Sequence, residues 1–480
     1  MGPVYWQRKL GLGRLSDQAA FHDASKSEFV DANLALPVRF TGYSSHLSAT
    51  AHVEWPGSLS YSLEERIQRT IDKRAAEDAV DEQRLDDQQE RSLLRQEIRK
   101  RYSVRDVDIY RFFHTGQSTN ADINFRISVF WLNHFTVADV GPNRELIGDY
   151  WGDTICGSLN GSFKDLLYRA ISHPAMLTYL DNIYSVGENS GRGRECRGRN
   201  CTAGLNDNLA RELLELHTVT PGFGYSEQDI KVVANILSGW GFIFDRPAPI
   251  ARPDYRRAFV EYNAEPGAKE VFNVSFSEGP DGLRELTDFL AEQDATIIFL
   301  SRKLLQHFAA ERPRQEDVDA VARVWRETEG DLQSVHRETL IRSLDYAGQR
   351  LLWPSQWAMS VLRLSRSTLF KGFSDIEIDF MESIERDPVR LQRELGDSFW
   401  AQRQPNGFSY ATADWMSSEH MDRRLRFASL VQRGGRPELT TSEIIELNQF
   451  SGFTRDLVAH GSSELEKFML LTCSPEFLEV

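Results

Sequence analysis

Two stretches of this chain set polar, proton-carrying side chains into otherwise apolar helical patterns. In INFRISVFWLNHFTV (123–137), Arg126, Asn133 and His134 interrupt a run that is apolar nearly all round. In NDNLARELLELHTV (206–219), residues advance by about 100° each, and Asn208, Arg211, Glu212 and Glu215 fall within one arc roughly 100° wide. His217 lies in the middle of the opposite, apolar side, and Asp181 closes the block HPAMLTYLDN (173–182). If the first stretch packs on the second and on Asp181, carboxylates share a partly desolvated pocket with a neutral imidazole. Such a set performs general acid–base work with a carboxylate whose pKa burial has raised. The same imidazole and carboxylate atoms suit a divalent metal, the one candidate cofactor. On this reading His134, Glu212, Glu215 and Asp181 are the catalytic candidates. Arg126, Asn133, Asn208, Arg211 and His217 are the binding candidates. The structural alternative carries equal weight: a solvated charged face, with His217 capping the last carbonyls of its helix.

These side chains need rigid helices to position them. Asn206 suits an N-cap and Asp207 a first turn, where a carboxylate complements the helix dipole. A Pro-Gly turn leads to a second helix, opened by Ser226 and Asp229 in capping-box spacing. Its stripe of Ile230, Val233, Ala234, Leu237 and Trp240 reads as core. Residues 123–137 read as a buried helix, in which Arg126 and Asn133 are costly unless paired. Pro174 sits well at a first helical position. Residues 1–35 look helical. Residues 62–102 are charge-dense and rich in helix formers, predicting one or two solvated helices, because the apolar positions hold no heptad. The segment 259–276 predicts a hairpin about Glu265-Pro266-Gly267. Helices follow at about 281–293, 295–309, 315–328, 331–346, 355–366 and 376–395, with two or three more to the end. The expected fold is mainly α: one large multi-helix domain, 1–480, with one small β-hairpin. Within it, 1–110 holds N-terminal helices and the charged arm, 111–245 the motif-bearing core, 255–278 the hairpin, and 279–480 the C-terminal helices.

A net charge of −15 argues against a general nucleic-acid binder, which would present a basic field. No run approaches 18 apolar residues, so no transmembrane segment is indicated. Without the apolar centre of a signal peptide, a cytoplasmic location is the default expectation. Of four cysteines, only Cys196 and Cys201 are close, in a Gly/Arg-rich loop. A local disulfide and two free thiols both fit that spacing.

Several blocks resemble a large bacterial family known as domain of unknown function 1800. FWLNHFTV (130–137) is similar to its Trp-x-Asn-His-Phe signature, and HPAMLTYLDN to its Pro-Ala-Met-Leu block. NDNLARELLELHTV resembles its Asn-Glu-Asn-x-x-Arg-Glu block, and GYSEQDIKVVANILSGW (224–240) the helix that follows. The likeness extends to RKLGLG (8–13), RKLLQHF (302–308), NGFSY (406–410) with Trp415, and SPEF (474–477). It implies motif positions for Asn133, His134, Asp181, Asn208, Arg211, Glu212 and Glu215, but no activity. Relatives tend to be exported and to look like partners of a second secreted family. This chain differs in having Asp207 where Glu is usual, an inserted cysteine/arginine loop, and Tyr262-Asn263 where many relatives show His-Asp.

Three functional readings follow. The first is a hydrolase, metal-assisted or built on carboxylates and histidine, which needs no organic cofactor. The second is a redox metalloenzyme. The third is a non-catalytic scaffold for a protein partner, in which Arg126, Asp181, Arg211 and the glutamates form a buried ion-pair network. The spacing Glu212-x-x-Glu215-x-His217 matches neither a zinc-protease nor a di-iron pattern.

Overall fold

The computed structural model describes residues 2–15, 23–42, 53–82, 88–102, 104–197, 203–241, 259–369, 388–398, 400–402 and 404–480. The protein is mainly α. Among the described residues, strands form two antiparallel pairs, Thr41–Gly42 with Val53–Glu54 and Lys269–Val271 with Val274–Phe276. One hydrophobic core runs from Trp6 to Val480 and takes side chains from nearly every helix.

Five helices position the polar groups. Helix α1, Pro3–Leu10, starts on proline and ends at Gly11. Helix α2, Asp122–His134, has every residue buried, as its all-round apolar pattern requires. Helix α3, Asn208–Glu212, passes directly into a π-helical turn, Leu213–His217. The Asp207 side chain makes no cap; Asn206 Oδ1 instead accepts from the Asn208 amide at 2.9 Å. Helix α4, Glu227–Leu237, opens with the predicted Ser226/Asp229 capping box and buries Ile230, Val233, Ala234 and Leu237. Helix α5, Asp294–Phe308, packs on Gln315–Glu327 and Leu332–Ser343.

Some local expectations change. The hairpin turns at Phe272-Asn273, both at positive φ (57° and 60°), with Val271 opposite Val274. A two-residue loop of that hand matches the twist of its strands, which Pro266-Gly267 is too far upstream to do. Residues Glu261–Asn263 form a 3-10 turn rather than strand. Five helices, not two or three, finish the chain. Ser417, Thr440, Ser451 and Ser463 each cap one with a side-chain oxygen, dividing the segment into short pieces. Of the helix expected at 376–395, Pro388–Leu395 is described and the rest lies outside the described residues. The charged stretch is two helices, Leu63–Glu82 and Gln88–Tyr102, packed on each other. The first is anchored by Arg66, fully buried and paired with Asp108 at 2.6 and 2.9 Å.

Helix α1 meets the segment at Val480. Lys9 Nζ donates to the Val480 oxygen at 3.0 Å, and Val480 exchanges backbone hydrogen bonds with Arg350. Cys196 is disulfide-bonded, and Cys156 and Cys473 are free; Cys201 lies outside the described residues.

Candidate functional site

Helix α2 delivers His134 to the end of α3, where the two stretches do meet. His134 Nε2 lies 3.1 Å from the His217 backbone oxygen, and the two imidazole rings are 5.6 Å apart. On the other side, Lys303 of α5 places Nζ 3.0 Å from His134 Nδ1. These contacts fix the tautomer. A lysine head donates, so Nδ1 accepts, and Nε2 carries the hydrogen donated to the His217 carbonyl.

The electrostatics follow from burial. His134 is held neutral, first by desolvation and then by the Lys303 charge and by His217. Desolvation, with the Lys303 charge second, pushes His217 down to about 3. Burial pushes Lys303 down to about 8, although the residue as a whole is part-exposed. His217 is fully buried, and neither ring nitrogen makes a well-formed hydrogen bond; its polar contact is with the His134 backbone. It ends the π turn, whose widened ladder is secured by Thr218 Oγ1 donating to Leu213 O at 2.6 Å. Single π turns inside helices are frequent at functional sites.

The carboxylates of α3 do not join this cluster. Arg211 gathers Glu227 at 2.9 Å, Asp207 at 3.3 Å and Glu215 at 3.4 Å in a network open to solvent. Glu212 is half-buried, and its pKa is raised by desolvation and then by Glu215. It faces Tyr179, whose hydroxyl is pushed up by burial and by the Glu212 charge. Neither glutamate is among the groups acting on His134. Asn208 is exposed. Asp181 is also exposed, in a left-handed turn (φ 57°). Its neighbour Asn182 is the buried member, donating to Leu237 O and Trp240 O.

The remaining polar residues of α2 serve other contacts. Arg126 Nη1 donates to the carbonyls of Lys9 and Gly11 at 2.6 and 3.2 Å. Asn133 clamps the backbone of Phe408, accepting from its N–H at 2.7 Å and donating to its oxygen at 3.2 Å. Arg126, Asp181, Arg211 and the glutamates therefore do not form the buried ion-pair network of the scaffold reading. Arg126 bonds to backbone, Glu212 is half-buried, and the others face water.

A metal fits this donor set poorly. His134 has no free lone pair while Nδ1 accepts from Lys303 and Nε2 carries the hydrogen. Among the described residues no group of three or more His, Cys, Asp or Glu side chains is placed to hold an ion.

Lys303 was invisible as a site residue in the sequence, because a lysine on an amphipathic helix ordinarily faces solvent. The one signal was its place in RKLLQHF, a block already noted for its likeness to the family. His336, which accepts from Trp131 Nε1 at 3.0 Å, carried no signal at all.

The family model described as "Protein of unknown function (DUF1800)" matches residues 6–478. The chain belongs to this family. No curated protein and no solved structure matches it. In this DUF1800 chain, His134, His217 and Lys303 come from three separate motif-like blocks that the fold brings to one point. No helix among the described residues is long and apolar enough to cross a membrane.

Proposed function

We propose that this DUF1800 protein carries a metal-independent acid–base site of hydrolytic type, centred on Lys303, His134 and His217. The reading rests on one observation: Lys303 bonded to a neutral, buried His134, with the ring nitrogens of His217 lacking a well-formed hydrogen bond beside it. An amine with a pKa of about 8 is partly neutral near physiological pH and able to take a proton from water or substrate. In either protonation state it keeps a hydrogen for His134 Nδ1, so that bond aims its free valence away from the imidazole. The neutral His217 ring offers one donor and one acceptor to a bound group. Glu212 and Glu215, on the turns leading to His217, form an acidic rim outside the cluster, which favours neutral or cationic substrates over anionic ones.

Competitive acylation with trace acetic anhydride, read for each lysine by mass spectrometry across pH, tests the reading without knowledge of the substrate. Lys303 is expected to half-titrate near pH 8, while surface lysines titrate near their ordinary value of about 10.4. A screen of nitrophenyl esters and anilides completes the test, with any hydrolysis falling at least tenfold in Lys303→Met. Titration of Lys303 with the surface lysines, together with hydrolysis undiminished in Lys303→Met, would refute the reading.

A further inference from the structure

Phe130 separates the Lys303 cluster from a second polar centre. Its ring stacks on His134 at 6.3 Å and meets His307 edge-on at 5.6 Å. Around His307 stand Arg126 and Arg350, 0% and 1% exposed. Arg126 uses only Nη1, leaving Nε and Nη2 without a partner. Arg350 uses only Nε, donated to the His307 carbonyl at 3.2 Å, leaving Nη1 and Nη2 without a partner. Each guanidinium therefore keeps one complete edge of its fork free, side-on in Arg126 and end-on in Arg350. These are the two edges that grip a carboxylate or phosphate through paired bonds. In the same place His307 Nδ1 and the Tyr410 hydroxyl make no well-formed hydrogen bond, and their polar contacts are with the Arg126 backbone and with Asn133 respectively.

Rings connect the members. The Arg350 guanidinium lies 5.5 Å from both Trp353 and Tyr410, and Tyr410 is 5.9 Å from His307. Arg126 lies 5.1 Å from Phe308, which is 4.7 Å from His307. The charge balance is one-sided. Fully buried Lys9 adds a third cation. The carboxylates that act on the two arginines, Asp122 and Glu311, accept bonds elsewhere: Asp122 from Gln7 and the Leu12 amide, Glu311 from the Thr412 amide. Burial, reinforced by mutual repulsion, brings Lys9 to about 7 and Arg126 to about 9; burial alone brings Arg350 to about 10. Buried cations whose nearby carboxylates are engaged elsewhere are expensive, and an anion between them lowers that cost.

We propose that Arg126 and Arg350 form an internal binding site for a small oxyanion, a carboxylate or a phosphate, with His307 and Tyr410 completing its hydrogen bonds. The segment carrying Tyr410 covers the site and is held there by the Asn133 clamp on Phe408. This site is separate from the Lys303 cluster, and its failure would leave the Lys303 titration unchanged.

The test uses full-length protein dialysed into an amine-sulfonate buffer. Inorganic phosphate and acetate are the probes, and sodium chloride at equal ionic strength is the control. A saturable rise in Tm with phosphate or acetate, beyond that with chloride, is expected, with matching heats in calorimetric titration. Arg350→Gln is expected to weaken that affinity at least tenfold, and Tyr410→Phe by a smaller factor. If Arg350→Gln does not fold, Arg350→Lys keeps the charge, loses the fork and is held to the same tenfold criterion. Chloride matching both probes, or affinity unchanged in the Arg350 variant, would overturn the proposal.

Discussion

Gly407→Ala tests the clamp that joins α2 to the segment carrying Tyr410. Gly407 has φ +72°, and a Cβ there would lie 2.3 Å from the Asn133 backbone oxygen and 2.9 Å from its Oδ1. Gly141 also has positive φ, +52°, but a Cβ there meets nothing within 4 Å. Left-handed strain alone costs about 1 kcal/mol at either position. At Gly407 the chain must also move by about an ångström to reach ordinary contact, which breaks the two Asn133–Phe408 bonds at about 1 kcal/mol each. Asn133 is only 2% exposed, so its stranded amide adds roughly 1–2 kcal/mol more. The expected cost is about 4 kcal/mol for Gly407→Ala against about 1 for Gly141→Ala. With an unfolding entropy of about 2 cal/mol/K per residue, a chain this long loses about 1 °C per kcal/mol. Differential scanning calorimetry of the two variants side by side should separate them by about 3 °C. Equal Tm values would mean that the segment yields freely and that Asn133 holds nothing in place.

Other outcomes follow from the buried charges. Lys303 titrates at about 8 folded and near 10.5 unfolded, so below pH 8 both states hold the proton and the cost of burial is fully present. Between pH 8 and 10.5 the unfolded chain alone keeps it, and stability should rise by up to about 3 kcal/mol, less some screening at a part-exposed side chain. Lys303→Met should remove that rise and stabilise the protein at pH 7, as read by denaturant titration at several pH values. Asp397 is fully buried and, despite two hydrogen bonds from Ser355, is raised to about 7, chiefly by desolvation. As pH falls from about 7 towards 4 the folded state takes this proton first, so the group adds stability there. Asp397→Asn should abolish the gain, seen by comparing unfolding of both proteins across that window. Breaking the fully buried Arg66–Asp108 pair with Arg66→Met should cost about 3–5 kcal/mol by chemical denaturation, and adding Asp108→Leu should not recover it in full, because buried Arg111 also pairs with Asp108 at 3.3 Å.

The reach of the sequence is clearest along α2. An apolar run on all sides permits only a buried helix, and its polar members must then find partners. His134, Asn133 and Arg126 do so. Which partners they find depends on segments far away in the chain: Lys303, Phe408 and Lys9. Periodicity cannot report such distant contacts. The wheel drawn for 206–217 assumed 3.6 residues per turn throughout, and a π turn over its last five residues re-aims that end. It brings the His217 carbonyl to His134 while Glu212 and Glu215 stay at the rim. The hairpin lies inside the expected span, at 269–276, but its turn sits away from Pro266-Gly267 for a local reason. Pro266-Gly267 is the stronger turn signal by composition, and Phe is a poor candidate for positive φ. The register that pairs Val271 with Val274 nevertheless places the turn at Phe272-Asn273.

The closure of α1 onto Val480 bears on how the protein is made. Residue 9 cannot settle until residue 480 has left the ribosome, and the Lys9 and Gly11 carbonyls that hold Arg126 belong to the same seam. The helix that carries His134 thus waits, with its arginine short of its final partners, until a segment far downstream has been made. Contacts of such long sequence separation slow folding and prolong the exposure of apolar surface. Chaperone dependence should therefore persist until the segment around Val480 is available to close the seam.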